Sequence, residues 1–167
     1  MPKIKAVIFD CATTLVKPGG NSTCEIIKNL SGLSVPYFFI TQNGNDTSKL
    51  QRFCNNTKIF ETKPYETKHN IFNGVVRSIN IKNNECLVIE DNLDGTKTAS
   101  EMNMKVLAYL GENIRFADYA SLRTAGAWGL LDDMDWLLFL TEKDKWYKNL
   151  LLRNFLFNRA NSRQNFL

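Results

Sequence analysis

The sequence predicts an α/β protein built on a parallel sheet, and three observations carry that expectation. Short, wholly apolar runs recur: Ala6-Val7-Ile8-Phe9, Tyr37-Phe38-Phe39-Ile40 and Cys86-Leu87-Val88-Ile89. Runs of this length bounded by turn signals read as strands covered on both faces. Stretches with helical apolar spacing lie between them, as βα units require. Each run also stops at a polar group, namely Asp10, Thr41 and the pair Glu90-Asp91. In a parallel sheet all carboxyl ends share one edge, where open α/β sheets bind ligands.

Composition narrows the class. The 167 residues fit one domain with one core. At 44% hydrophobic and 23% charged, the chain is globular rather than disordered. No run of about 18 apolar residues occurs, so no membrane partner is expected. Met1-Pro2-Lys3-Ile4-Lys5 leads straight into the first strand without space for a signal peptide, which favours a cytoplasmic location. Cys11, Cys24, Cys54 and Cys86 form no C-x-x-C pair, and His69 is the single histidine, which argues against zinc. Cys11 adjoins Asp10 but has no base nearby in sequence and reads as filler. The net charge of +4 owes much to Lys143, Lys145, Lys148, Arg153, Arg159 and Arg163. That pattern fits a solvated helix face better than a nucleic-acid patch, so no nucleic-acid partner is expected.

In chain order, the first strand ends at Asp10 and Lys17-Pro18-Gly19-Gly20 signals a turn. A helix is expected over 23–30, with Gly32 as its stop. A strand over 35–41 follows, with Pro36 tolerated at its start, then a loop over 42–46 and a helix over 47–54. Residues 58–60 form a short strand candidate. Pro64 suits the first turn of a helix reaching 79, with Ile71, Phe72, Val75 and Val76 inward. The third strong strand, 86–89, precedes a helix over 96–102 and a strand over 105–110. Asp118-Tyr119 is read as the end of a last short strand, and 121–139 as helical despite Gly126 and Gly129. A helix over 141–157 carries apolar residues on more than one face. Residues 1–140 therefore read as one catalytic unit and 141–167 as a C-terminal helix with a basic tail. That helix is expected to cover the last strands, with association into a homo-oligomer as the alternative.

Asp10, Thr41, Lys63 and Glu90-Asp91 can converge at one sheet edge although they are distant in sequence. Taken singly, each has a plain reading as a turn former, a strand-end hydroxyl or a solvated lysine. Their order and spacing favour a joint role. Asp10 and Asp91 suit a hard divalent cation, best Mg²⁺, while Thr41 and Lys63 suit phosphate oxygens. A carboxylate at the position of Asp10 can attack phosphorus.

On these residues the chain resembles the haloacid dehalogenase-like hydrolase superfamily, over roughly its first two-thirds. Val7-Ile8-Phe9-Asp10-Cys11-Ala12-Thr13-Thr14-Leu15 is similar to that family's first motif, an apolar strand followed by Asp-x-Asp-Gly-Thr-Leu. Phe39-Ile40-Thr41-Gln42-Asn43 is similar to the second motif, and Lys63-Pro64 before an amphipathic helix to the third. The stretch from Glu85 to Ala99, with Glu90-Asp91-Asn92-Leu93-Asp94-Gly95 at its centre, resembles the fourth motif of the branch containing β-phosphoglucomutase and phosphoglycolate phosphatase. The resemblance implies a three-layer αβα sandwich on a Rossmann-like sheet, Mg²⁺ as cofactor and a small phosphorylated substrate. It implies Asp10 as nucleophile and metal ligand, Asp91 as second ligand, and Glu90 as a ligand or a support for one. The backbone oxygen of Ala12 would complete the protein ligands, and Thr41, Gln42, Asn43 and Lys63 would bind the transferring phosphoryl group.

Two departures bear on activity. Ala12 stands where the family's second aspartate protonates the leaving group and later activates water, and Thr13 replaces the usual glycine. Losing acid–base help of this kind costs about 10²- to 10⁴-fold. Alkyl phosphates should suffer most, and acyl phosphates or other good leaving groups less. A catalytically degenerate binding or regulatory protein is the alternative. An Asp-x-Ala first motif is also the pattern of phosphonoacetaldehyde hydrolase, which makes carbon–phosphorus cleavage a further reading. That chemistry uses a Schiff-base lysine from a cap, and 16–36 is too short for such a cap, leaving Lys17 and Lys28 as nominal candidates. The expected molecule is thus capless, with an open site of the kind that admits macromolecular substrates or borrows closure from a neighbouring subunit.

Overall fold

The computed structural model describes residues 4–10, 35–41, 47–48, 50–51, 57–109 and 116–131. Among these, strands and helices alternate as β1 (Ala6–Asp10), β2 (Tyr37–Thr41), β3 (Ile59–Glu61), α1 (Lys68–Ile79), β4 (Cys86–Glu90), α2 (Leu93–Glu101), β5 (Lys105–Tyr109), α3 (Phe116–Thr124) and β6 (Gly129–Leu131). The strands form one sheet in the order β3-β2-β1-β4-β5-β6, every pair parallel. The chain runs outward from β1 to β3, then returns through α1 to β4 on the other side of β1. This reversal makes the crevice between β1 and β4 the topological switch point. Asp10 and Glu90 face each other across it in register.

Alternation along the strands sorts the apolar residues onto two faces. On one, Ala6, Ile8, Ile40, Cys86, Val88 and Val106 pack against Ile71, Phe72 and Val75 of α1, Ala99 of α2 and Met102 just after it. Leu122 of α3 joins the same side, clustered with Ala108, Ala127 and Leu130. The opposite face is buried as well, through Val7, Phe9, Phe39, Leu87, Ile89 and Leu107. There the Phe9 and Phe39 rings lie 5.2 Å apart, with Tyr37 edge-on to both. Residues 47, 48, 50 and 51 are helical and Leu50 is fully buried. Because β2 to β3 steps away from β4, a right-handed connection places these residues on the face opposite α1, α2 and α3. The result is the three-layer α/β sandwich, on the parallel sheet that the strand pattern predicts.

Several boundaries differ from the expectations. α1 starts at Lys68 rather than at Pro64, because Thr67 caps it by accepting from the Asn70 N–H at 3.3 Å. α2 starts at Leu93, three residues before Thr96, because the Asn92 side chain accepts from the Gly95 N–H at 2.8 Å. Asp118-Tyr119 belongs to α3, not to a strand. The helix expected over 121–139 stops at Thr124; Gly126 takes a φ of +99°, and the chain turns into β6. That φ is one that L side chains seldom adopt. The helices expected over 23–30 and 141–157, and all of 132–167, lie outside the described residues. Among the described residues no helix is long and apolar enough to cross a membrane.

Phe72 is fully buried in the cluster that fixes α1 to the sheet. Phe72→Ala is expected to lower the unfolding free energy by about 3–5 kcal/mol, read from equilibrium urea unfolding.

Candidate active site

The apolar run of β1 ends at Asp10, whose side chain is only 6% exposed. Strand alternation aims Asp10 and Glu90 at the face carrying α1 and α2. From α1, the Lys68 ammonium reaches Asp10 Oδ2 at 2.6 Å and Glu90 Oε2 at 3.4 Å. Lys68, Ile71, Phe72 and Val75 share the inward stripe of α1, at i, i+3, i+4 and i+7. The lysine thus occupies the first position of an apolar stripe, directly over the carboxyl edge of the sheet. A cation in the first turn opposes the helix dipole, and no acidic residue accompanies it there. The Asp10 carboxylate, 2.6 Å away, supplies the compensating charge.

Glu90 is completely buried and tied to the start of α2. Its Oε1 accepts from the backbone N–H groups of Asp91 (3.0 Å) and Asn92 (3.2 Å) and from Asn92 Nδ2 (2.6 Å). Asn92 therefore works in two directions, its oxygen capping α2 and its amide holding Glu90. A Cβ at residue 95 would lie 1.9 Å from Glu90 Oε2, so only glycine lets α2 start this close to the carboxylate. Burial, then the neighbouring Asp10 charge, pushes the Glu90 carboxyl up to about 9. Burial also raises Asp10, against the pull of Lys68. For Lys68, burial lowers the ammonium, but Asp10 and Glu90 outweigh that and leave it raised.

The sequence points to Lys63 as the lysine of the site, whereas the lysine that the structure brings to Asp10 is Lys68. Lys63 is exposed in the loop before α1, where its backbone N–H donates to Glu66 Oε2 at 3.1 Å. It precedes the helix instead of joining it, because the Thr67 cap delays the helix start and hands the inward position to Lys68. Thr41 closes β2, is 2% exposed, and accepts from the Thr62 N–H through its backbone oxygen at 2.9 Å. Phe9 registers with Phe39, which sets Thr41 one residue beyond the level of Asp10 on the adjacent strand. Asp91 follows β4 and its charge acts on both Asp10 and Glu90. Ala12, Gln42 and Asn43 lie outside the described residues. Sequence reasoning missed Lys68 and Asn92. The available signal for Lys68 was a lysine in phase with Ile71, Phe72 and Val75; for Asn92 it was a helix-capping residue type directly after Glu90-Asp91.

No family model matches the chain, and no curated protein matches it significantly in sequence. Solved structures do match. A conserved haloacid dehalogenase-like protein of unknown function from Agrobacterium tumefaciens superposes with a TM-score of 0.59 at 14% identity, over 80% of this chain and 96% of that one. A protein provisionally assigned as a β-phosphoglucomutase from Bacteroides vulgatus gives 0.62 at 13% identity, over 87% and 88%. The fold is that of the haloacid dehalogenase-like hydrolases. A third match, a hydrolase of that family from Deinococcus radiodurans with bound phosphate and sodium, gives 0.54 at 17% identity, over 71% of this chain and 56% of that one. Identities this low establish the haloacid dehalogenase-like fold and not the chemistry.

Whether this site suits a divalent cation can be judged from its own donors. Beside burial, the Asp91 charge helps to raise both the Asp10 and the Glu90 carboxyls, and Asp10 helps to raise Glu90, so the site holds more acidic groups than the single ammonium of Lys68 offsets. Among the described residues no group of three His, Cys, Asp or Glu side chains could hold a metal ion. Mg²⁺ does not need three, since it commonly takes one or two carboxylates and completes its shell with waters and phosphate oxygens. Asp10 and Asp91 fit that role. Glu90 does not, because one of its oxygens is saturated by three N–H donors and the other faces Lys68.

The Glu90 shift has a stability consequence. Its carboxyl titrates at about 9 in the folded chain against an ordinary value of 4.5. Between those values the unfolded chain binds fewer protons, so the contribution of Glu90 is fully present below 4.5 and is lost as pH rises through about 9. The chelator-treated protein should therefore unfold in progressively less urea between pH 5.5 and 8.5, with a slope of up to about 1.4 kcal/mol per pH unit for one proton. Glu90→Gln should flatten that slope.

Proposed function

We propose that the chain is a Mg²⁺-dependent phosphohydrolase acting on a small phosphorylated substrate through an aspartyl phosphate at Asp10. The contact of Lys68 with Asp10 at the switch point of the sheet carries this reading. A buried carboxylate gripped by a lysine, beside a further carboxylate, is an arrangement suited to phosphoryl transfer, where positioning and charge neutralisation do most of the work. One oxygen of Asp10 attacks phosphorus as the bond from phosphorus to the leaving-group oxygen breaks, and the leaving group departs with the electron pair. Water then attacks the same phosphorus, the bond to Asp10 breaks, and inorganic phosphate leaves with Asp10 restored. Lys68 orients the Asp10 carboxylate and neutralises charge on the phosphoryl oxygens. Glu90 holds Lys68 in place from its clamp at α2. Mg²⁺, when held by Asp10 and Asp91, supplies Lewis-acid neutralisation of the phosphoryl oxygens. Ala12 offers no proton to the leaving group, so groups that depart without one are favoured.

Phosphate release from acetyl phosphate and from aryl phosphates tests the proposal. Release should require Mg²⁺ and vanish in Asp10→Asn. Lys68→Ala should lower kcat/KM by about 10²-fold or more, whereas Lys63→Ala should stay within about threefold of the parent. Equal losses in the two lysine variants would overturn the assignment of Lys68.

A degenerate binding protein is the second reading, favoured by Ala12. Ala12→Asp separates the two. In the enzyme it should add about 10²-fold or more for alkyl phosphates and much less for acetyl phosphate. A gain from zero on every substrate would mark the parent as a non-catalytic protein.

A further inference from the structure

We propose that Asn92 is a positioning residue whose side-chain amide, acting through Glu90, aligns Asp91 for the divalent cation and Lys68 for the phosphoryl group. The inference rests on the phosphohydrolase reading and adds a residue that acts on the site without belonging to its reactive groups.

Asn92 is exposed, yet every polar atom it has is engaged. Its Oδ1 accepts from the Gly95 N–H at 2.8 Å. Its carbonyl accepts from Thr96 twice, from the backbone N–H at 3.1 Å and from Oγ1 at 2.8 Å. These bonds start α2. The N–H and Nδ2 of Asn92 go the other way, both onto Glu90 Oε1, at 3.2 and 2.6 Å. The partners fix the orientation of the amide, since the Gly95 N–H can only donate and must meet the oxygen.

Capping accounts for only half of this side chain. Serine and aspartate cap a helix as well as asparagine does, and an oxygen is all that the task requires. The nitrogen is surplus to it. Of the three donors on Oε1, Nδ2 makes the shortest bond and alone comes from a side chain; the others are the backbone N–H groups of Asp91 and Asn92.

This bond bears on the site in two directions. Oε1 also accepts from the Asp91 N–H at 3.0 Å, so the carboxylate that Asn92 holds pins the backbone of the proposed cation ligand. With Oε1 held, the carboxylate cannot rotate, and Oε2 stays directed at Lys68, 3.4 Å away, whose ammonium lies on Asp10. Groups that orient a ligand in this way typically govern metal affinity or activity by about 10- to 100-fold.

Calorimetric titration with Mg²⁺, thermal melting without it and acetyl phosphate turnover at saturating Mg²⁺ test the inference on the full chain. Asn92→Ser keeps an oxygen for the cap and removes the amide, whereas Asn92→Ala removes both. The serine variant should melt within about two degrees of the parent. It should nevertheless bind Mg²⁺ about tenfold more weakly. Its kcat should fall about tenfold while KM changes less than about threefold. The alanine variant should show the same losses in affinity and kcat and also melt several degrees lower. A residue that only capped α2 would leave the serine variant like the parent, or would lose affinity in step with melting temperature from serine to alanine. Either result overturns the inference and leaves the phosphohydrolase reading standing. If the parent binds no Mg²⁺ or releases no phosphate, that reading fails and takes the inference with it.

Discussion

The ammonium of Lys68, held between Asp10 and Glu90 at the point where the sheet reverses direction, is the contact on which the rest of the site depends. Three elements must be placed correctly for it to exist. β1 and β4 must pair in the register that sets Asp10 against Glu90, and α1 must begin at Lys68 with its inward stripe on the sheet. Shifting any of these by one residue would turn a side chain to the wrong face. Removing one partner would leave buried charge without compensation, which is costlier than never having buried it.

Holding this cluster shapes the neighbouring structure. Glu90 would be an expensive residue to bury were it not met by three N–H donors from Asp91 and Asn92. Those donors come from the turn into α2, so the helix start and the carboxylate clamp are one unit. Gly95 belongs to the same unit, since any larger residue would collide with Glu90 Oε2. The core beneath is conventional, with both faces of the sheet apolar and α1 anchored through Phe72. A rigid sheet and two tied helix starts hold Asp10, Lys68 and Glu90 in place.

The strands were legible because their signal is local. Ala6 to Phe9 and Cys86 to Ile89 are apolar at every position, which only a sheet buried on both faces requires, and the polar residues closing them mark the ligand edge. Asp10, Glu90 and Asp91 follow from that pattern. Helix starts were less legible. Pro64 suits a first turn, but in the structure Thr67 caps the helix, which moves its start four residues on and brings Lys68 rather than Lys63 to Asp10. Around Gly126 and Gly129 the apolar residues suit a helix or a strand equally well. The pairing of β6 with β5 decides the matter.

By itself, the sequence determined the fold class, every strand but β6 and the acidic edge, because apolar periodicity and strand-end chemistry are carried by neighbouring residues. Tertiary structure alone decided which lysine reaches Asp10, from 58 residues away, and how Glu90 is tied to the start of α2. Both depend on side chains brought together by register and packing between distant elements. No local pattern encodes such a meeting, since its energy arises only once the sheet and the two helices have closed around it.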